Sequence, residues 1–261
     1  MENINRLFDC TGKVAVVTGG SGHLGKAMVL SLLELNAQVY VLGTNEKKYN
    51  EVFAEQLSSS KIAFIEVDIL NTESVKAAIK KIAANESKIN ILINNAFTIK
   101  SGNALQLSDE EFNSAMNGCI LSAYRFIREA VEYMPSGSSI INIASMYGIV
   151  SPDFKVYEAT PQFLNPPHYG IAKAGIIQMT KYFAAYLAHQ NIRVNAIAPG
   201  AFPNETVQQS GEFMAALKNK IPLNRIGTPE DLKGVVALLS SNASKFITGQ
   251  TLVVDGGWTI I

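Results

Sequence analysis

Seven short, near-continuous aliphatic runs punctuate this chain: Val14–Val17, Val39–Leu42, Ile62–Val67, Ile91–Ile93, Ser139–Ile143, Val194–Ile197 and Leu252–Val254. A strand with one face in water alternates apolar and polar residues. Runs without alternation predict burial on both faces, the condition of strands in a parallel sheet covered by helices. Between them, 24–35, 46–57, 72–84, 109–134, 169–188 and 229–240 carry helical patterning. Strand–helix alternation from end to end predicts a doubly wound α/β fold: one seven-stranded parallel sheet with helices on both faces.

No repeat, low-complexity tract or linker interrupts the 261 residues. That length suits one large domain, able to bury roughly three quarters of its unfolded surface. Two irregular stretches, 146–168 and 199–228, follow carboxyl ends of strands, where ligands bind in such sheets. They are expected to be substrate or lid loops. The 22 basic residues balance 22 acidic ones, which supports neither nucleic acid nor a membrane surface as partner. No apolar run approaches the ~20 residues of a membrane span. The two cysteines, Cys10 and Cys119, lie far apart. They suggest no disulfide framework and no metal site, and make a reducing, cytoplasmic setting the expectation. The first residues lack the basic-then-apolar layout of a secretory signal, which points the same way.

Thr18-Gly-Gly-Ser-Gly-His-Leu-Gly25 follows the first run and opens a helix. Within it, Gly20-x-Gly22-x-x-Gly25 has the spacing that lets backbone approach a pyrophosphate at a helix N-terminus. The plainer alternative is a glycine-rich turn. Further along, Tyr169 and Lys173 stand four apart, one above the other on a helix face. A phenol titrates near pH ~10 and is a poor base at neutrality. An ammonium held beside it favours the phenolate and lets it exchange a proton with a hydroxyl or carbonyl. Taken alone, such a pair also suits a solvated helix face.

These motifs, together with Asp68, Asn94-Asn95-Ala96, Asn117, Ser145, Asn195, Pro199-Gly200 and Asp255-Gly256-Gly257, resemble the short-chain dehydrogenase/reductase family. The resemblance runs in order from the first strand to the last residues. It implies a Rossmann-type single domain over 1–261 and an NAD(P)-dependent oxidoreductase, moving a hydride between nicotinamide and a secondary alcohol or ketone. Tyr169 would be the acid/base, with Lys173 lowering its pKa and holding the nicotinamide ribose. Ser145 would hydrogen-bond the reacting oxygen, and Asn117 would support a proton relay through water. The cofactor would be held by Gly19, Ser21, Gly22, His23 and Leu24 in the first loop, and by Gly43 and Thr44 after the second strand. Asp68 would meet the adenine amine beside Ile69, Asn95 and Ala96 would follow the fourth strand, and Pro199, Gly200 and Phe202 would wrap the carboxamide side. A homo-oligomer, tetramer or dimer, is implied, with Asp255-Gly-Gly257-Trp258 at a subunit contact. Singly, each residue has a blander reading: a loop serine at Ser145, a helix kink or cap at Asn117, a strand tie at Asn94.

The chain also departs from the family's compact pattern. His23 replaces the middle glycine of the first loop, and Ser145 stands 24 positions before Tyr169, far more than compact members use. That spacing, and Asn165-Pro-Pro-His-Tyr169, resemble the extended branch, which works largely on nucleotide sugars. That branch carries an extra C-terminal substrate domain, for which an end at Ile261 comes too early, and the tail resembles the compact kind. The expectation is a compact enzyme whose 146–168 insertion serves as lid over a polar, small-molecule substrate. Side chains from 97–103, 146–168 and 201–218 would shape the pocket. His168 and Lys155 are candidates to meet a carboxylate or phosphate, although His168 could equally cap its helix or face solvent. Phe97 stands where the family usually has glycine and should narrow the space near the cofactor. Gly43 occupies the position where NAD-binding chains place a carboxylate, with Thr44, Asn45, Lys47 and Lys48 close by. Despite Glu46, NADP is favoured, with NAD as the alternative. The expected substrate is a keto-sugar, sugar acid or nucleotide sugar. A 3-oxoacyl thioester is the alternative within enzymes, and a non-catalytic dinucleotide sensor the alternative outside them.

Overall fold

A computed structural model describes residues 3–98 and 104–261. Seven strands form one parallel sheet: β1 (Val14–Thr18), β2 (Gln38–Gly43), β3 (Ile62–Glu66), β4 (Ile91–Asn94), β5 (Ser139–Ile143), β6 (Arg193–Pro199) and β7 (Thr251–Val254). Their spatial order is β3-β2-β1-β4-β5-β6-β7. The chain winds outward from β1 through β2 to β3, then crosses back to β4 and winds out the other way. β1 and β4 are neighbours whose connections leave in opposite directions, which opens a crevice beyond their carboxyl ends.

Pleating divides the strands between two cores. Val14, Val16, Leu42, Leu92, Ile140 and Val194 point to one face, where they meet α4 (Thr72–Glu86), α6 (Ser122–Ala130) and α7 (Pro167–Leu187). Ala15, Val17, Val41, Ile93, Ile141 and Ile197 point to the other, against α2 (His23–Glu34) and α10 (Lys233–Ser240). Burying each such aliphatic side chain is worth about 1.5–3 kcal/mol. The absence of polar alternation therefore reflects burial on both faces.

The helices depart from expectation in several places. A short α1 (Ile4–Phe8) precedes the sheet, and α3 (Glu46–Val52) stops before the expected 57, where Phe53 turns into the core. The segment expected as one helix over 109–134 is α5 (Asp109–Met116), a π-turn (Asn117–Leu121) and α6, followed by a short 3-10 turn at Val131–Tyr133. The widened turn lies where the chain after β4 presses on the helix. A Cβ on Gly118 would come within 2.4 Å of the Thr98 side chain. The stretch 199–228, expected to be irregular, holds α8 (Glu205–Gln208) and α9 (Gly211–Lys220). In α9, Ser210 caps the start, and Phe213, Met214 and Leu217 supply a buried stripe.

The insertion at 146–168 is packed. It contains three 3-10 turns, Met146–Gly148, Phe154–Tyr157 and Pro161–Phe163. Met146, Tyr147, Val156 and Tyr157 form a third cluster with the α9 stripe and Trp258. The Trp258 side chain is buried within its own chain, its ring edge-on to Tyr147 at 6.4 Å. Asp255 shapes this end by accepting hydrogen bonds from the backbone of Gly257 and Thr259.

Arg193 fastens β6 to the end of α10. Its buried guanidinium donates to the Leu239 carbonyl at 3.1 Å, the Ser241 carbonyl at 3.2 Å and the Ser244 hydroxyl at 2.7 Å. Burial pushes its pKa down to about 10. Arg193→Met strands these acceptors and should lower unfolding stability by about 2–4 kcal/mol, read from urea melts with an unchanged m-value.

Candidate active site

The crevice at the switch between β1 and β4 is a cleft of about 690 Å³. Its floor is stitched by two side chains. The Thr18 hydroxyl accepts from the Asn95 amide at 3.0 Å and the Ala96 amide at 2.9 Å. The Asn95 side-chain amide donates to the Thr18 and Gly19 carbonyls at 3.0 and 3.1 Å. The loops leaving the two diverging strands are thus held as one surface.

At one end of the cleft, α2 begins with Gly22 as its N-cap and no side chain capping its amides. Ser21, His23 and Leu24 line the cleft beside that uncapped terminus. Backbone N–H groups with no internal partner form a ready site for a phosphate. The loop is tight: Gly19 has φ +64°, and a Cβ on Gly25 would lie 2.3 Å from the Gly19 carbonyl oxygen. Gly43, Thr44, Asn45 and Lys48 form the next part of the wall, followed by Asp68 and Ile69. Asn45 caps α3, accepting from the Lys48 backbone amide at 2.8 Å. These features suit an elongated molecule with a phosphate centre, and a nicotinamide dinucleotide fits them.

At the other end, Ser145, Tyr169, Lys173, Pro199, Gly200 and Phe202 share the wall. Ser145 follows β5 in extended backbone, and its hydroxyl accepts from the Tyr147 amide at 3.2 Å. Tyr169 lies in the first turn of α7, one turn before Lys173. Lys173 is only 2% exposed, and its ammonium donates to the Ile143 carbonyl at 2.8 Å. It also lies 4.5 Å from the centroid of the Phe97 ring and 5.8 Å from that of Tyr169.

Every residue expected at the cofactor lines this one cleft, as do Ser145, Tyr169 and Lys173. Asn117 does not. It opens the π-turn, and its Oδ1 is buried without a hydrogen-bond partner. Asn94 turns away: its side-chain amide donates to Asn142 Oδ1 at 2.9 Å, so it ties β4 to β5. Asn195 likewise joins β6 to the approach of β7, through the Ile247 carbonyl and the Gln250 amide. His168 neither faces solvent nor caps α7. It is buried, edge-on to Phe112 at 6.1 Å, because the helix starts at Pro167 and turns the ring inward. Lys155 sits in an exposed 3-10 turn behind Asp153. Of 97–103, residues 99–103 lie outside the described residues. Thr98 and Asn204, from segments expected to shape the pocket, line the cleft; Phe64 and Leu70 also line it and were not foreseen. Phe64 was legible in principle, since β3 pairs Phe64 with Val41 on the strand that ends at Gly43.

The insertion meets the Ser145 turn through a hydrogen bond between the Tyr147 and Tyr157 hydroxyls, both buried. Burial pushes both phenols well above their ordinary range, so they stay protonated. Asp153 adds an ion pair to Lys220 of α9 at 3.2 Å.

The chain is similar to known proteins over nearly its whole length. A family model described as enoyl-(acyl carrier protein) reductase matches residues 21–259. A 3-oxoacyl-(acyl-carrier-protein) reductase of Chlamydia pneumoniae is 35% identical over 253 residues, covering 95% of this chain and 97% of its own. A 2-dehydro-3-deoxy-D-gluconate 5-dehydrogenase of Escherichia coli is 32% identical over 259 residues, covering 96% and 97%. A solved short chain dehydrogenase from Leptospira borgpetersenii, with bound NAD+, matches with TM-score 0.85 at 31% identity, over 99% of this chain and 96% of its own. Fold and cleft thus define a nicotinamide-dinucleotide-dependent oxidoreductase acting on CH–OH groups. The chain belongs to the short-chain dehydrogenase/reductase family.

Gly25→Ala should drive the first loop off the α2 terminus. The dissociation constant for the nucleotide, followed by its fluorescence, should rise roughly tenfold or more, about 1.4 kcal/mol.

Proposed function

We propose that this enzyme interconverts a secondary alcohol and a ketone on a polyhydroxylated small molecule, a keto-sugar, sugar acid or nucleotide sugar, with NADP as its cofactor. The observation that carries the chemistry is the convergence of Ser145, Tyr169 and the buried Lys173 at the end of a cleft fit for a dinucleotide. When bound there, the nicotinamide supplies or accepts the hydride.

The remaining work falls to the chain. The Ser145 hydroxyl donates a hydrogen bond to the reacting oxygen and holds it facing Tyr169. The Tyr169 hydroxyl gives that oxygen its proton in reduction and takes it back in oxidation. Lys173 keeps positive charge beside the phenol and binds the ribose end of the nucleotide. Asn117, whose buried Oδ1 has no hydrogen-bond partner among the described residues, would hold a water on the way from Lys173 to solvent. The α2 terminus would hold the nucleotide's phosphates, and Asp68 and Ile69 would meet its adenine.

NADP preference is supported by Gly43 at the end of β2 and by Thr44, Asn45 and Lys48 in the cleft wall. Glu46, in the first turn of α3, is not among the lining residues. The polar substrate is supported by the similarity to a sugar-acid dehydrogenase. A second reading, reduction of a 3-oxoacyl thioester, is favoured by the similarity to an acyl-carrier-protein reductase. Against it, Lys48 and Lys173 are the only lysine or arginine side chains lining the cleft among the described residues, which leaves little to greet an acidic carrier. A homo-oligomer in the cytoplasm completes the reading. Among the described residues, no helix is long and apolar enough to cross a membrane.

A panel of keto-sugars, sugar acids, nucleotide sugars and 3-oxoacyl thioesters, followed by nicotinamide absorbance, tests the substrate class. Turnover is expected with polyols and not with thioesters; the reverse selects the second reading. NADPH should bind more tightly than NADH, and the opposite order would remove the NADP assignment. Tyr169→Phe should lower kcat by about 10²–10⁴-fold while leaving nucleotide binding near normal. Deleting part of 151–165 should weaken substrate affinity far more than nucleotide affinity.

A further inference from the structure

Phe97 is half exposed, at 49%, yet it makes two contacts with the reactive end of the cleft. The Lys173 ammonium stands 4.5 Å from its ring centroid, and its ring lies 5.9 Å from that of Tyr169. A large exposed aromatic ring beside a cleft would ordinarily be free to swing. Here the backbone holds it from both sides. On one side the Ala96 amide donates to the Thr18 hydroxyl at 2.9 Å, and on the other the Thr98 amide donates to the Gly118 carbonyl at 3.2 Å. Thr98 also packs where only a glycine leaves room on the π-turn.

We infer that Phe97 is a positioning residue for Lys173: the negative face of its ring holds the buried ammonium between the Ile143 carbonyl and Tyr169. A buried ammonium needs partners for three N–H donors. Within the described chain, Lys173 has one hydrogen bond, to Ile143. The Phe97 face supplies a second electrostatic partner without taking a carbonyl or carboxylate into the cleft. A carboxylate in its place would neutralise the charge on which the phenol depends. A ring leaves the charge undiminished and the remaining N–H free for a ligand. The inference rests on the role proposed above for Lys173, and adds to it a residue that touches neither the transferred proton nor the phosphate loop.

The test replaces the face of the ring and keeps its shape. Phenylalanines with increasing fluorination at position 97 weaken the quadrupole with little change in size. The expected result is a stepwise fall in kcat, roughly threefold to thirtyfold at full fluorination, with substrate KM nearly constant. Phe97→Tyr should restore turnover, and Phe97→Leu should not. A second measurement reads the contact without turnover. In thermal unfolding of the nucleotide-free protein, Phe97→Leu and Lys173→Met should fail to add, the double variant losing about 2–4 °C less than the sum. A flat fluorination series, or additive changes in Tm, overturns the inference. Loss with leucine but not with fluorination also overturns it, because bulk alone would then account for the effect. Wild-type turnover by Lys173→Met would instead strike the proposed role of the lysine, and the unfolding cycle would still report on the contact.

Discussion

A lysine ammonium sealed inside a protein is costly unless its charge is answered, and Lys173 is sealed. Its answer is built from three elements. The Ile143 carbonyl lies at the end of β5, Phe97 follows β4, and Tyr169 lies one turn earlier on α7. These groups come together because β4 and β5 are paired in the sheet while α7 packs on β5 and its neighbour β6. The positive charge at the reactive end of the cleft is therefore a consequence of sheet order.

The other end depends on the same order through a different device. Because β1 and β4 lie side by side and their connections diverge, a gap opens at their tips. Thr18 and Asn95 bridge the strands just below the gap. That brace leaves the α2 amides facing open space and fixes Ala96, so the phosphate end and the Phe97 end of the cleft share one anchor. Glycine at 25 lets the helix approach the loop closely enough for this to work.

The sheet was the most legible part of the sequence, since unbroken aliphatic runs have few other uses. The cleft residues were legible because their motifs, several of which stand just beyond those runs, resemble the short-chain dehydrogenase/reductase family. The π-turn was not: α5 and α6 share a helical pattern, and the break at Gly118 answers pressure from Thr98, a contact distant in sequence. α9 reads as loop in the sequence, although Ser210 and the Phe213, Met214, Leu217 stripe mark it. Its partner is the insertion, and neither segment declares an apolar face without the other. The burial of Trp258 and His168 was hidden for a similar reason. Terminal tryptophans and helix-start histidines are often exposed, and here the insertion and Phe112 cover them.

The insertion's Tyr147–Tyr157 hydrogen bond joins it to the Ser145 turn, and its Asp153–Lys220 ion pair joins it to α9. Crystals grown with NADPH would test the central claim most directly, that one cleft gathers the nucleotide, Lys173 and Tyr169. The account predicts nucleotide density from Asp68 past the α2 terminus to Lys173, with the ammonium hydrogen-bonded to the ligand. Nucleotide bound elsewhere, or a Lys173 side chain that touches only the Ile143 carbonyl and Phe97 in the complex, would contradict it.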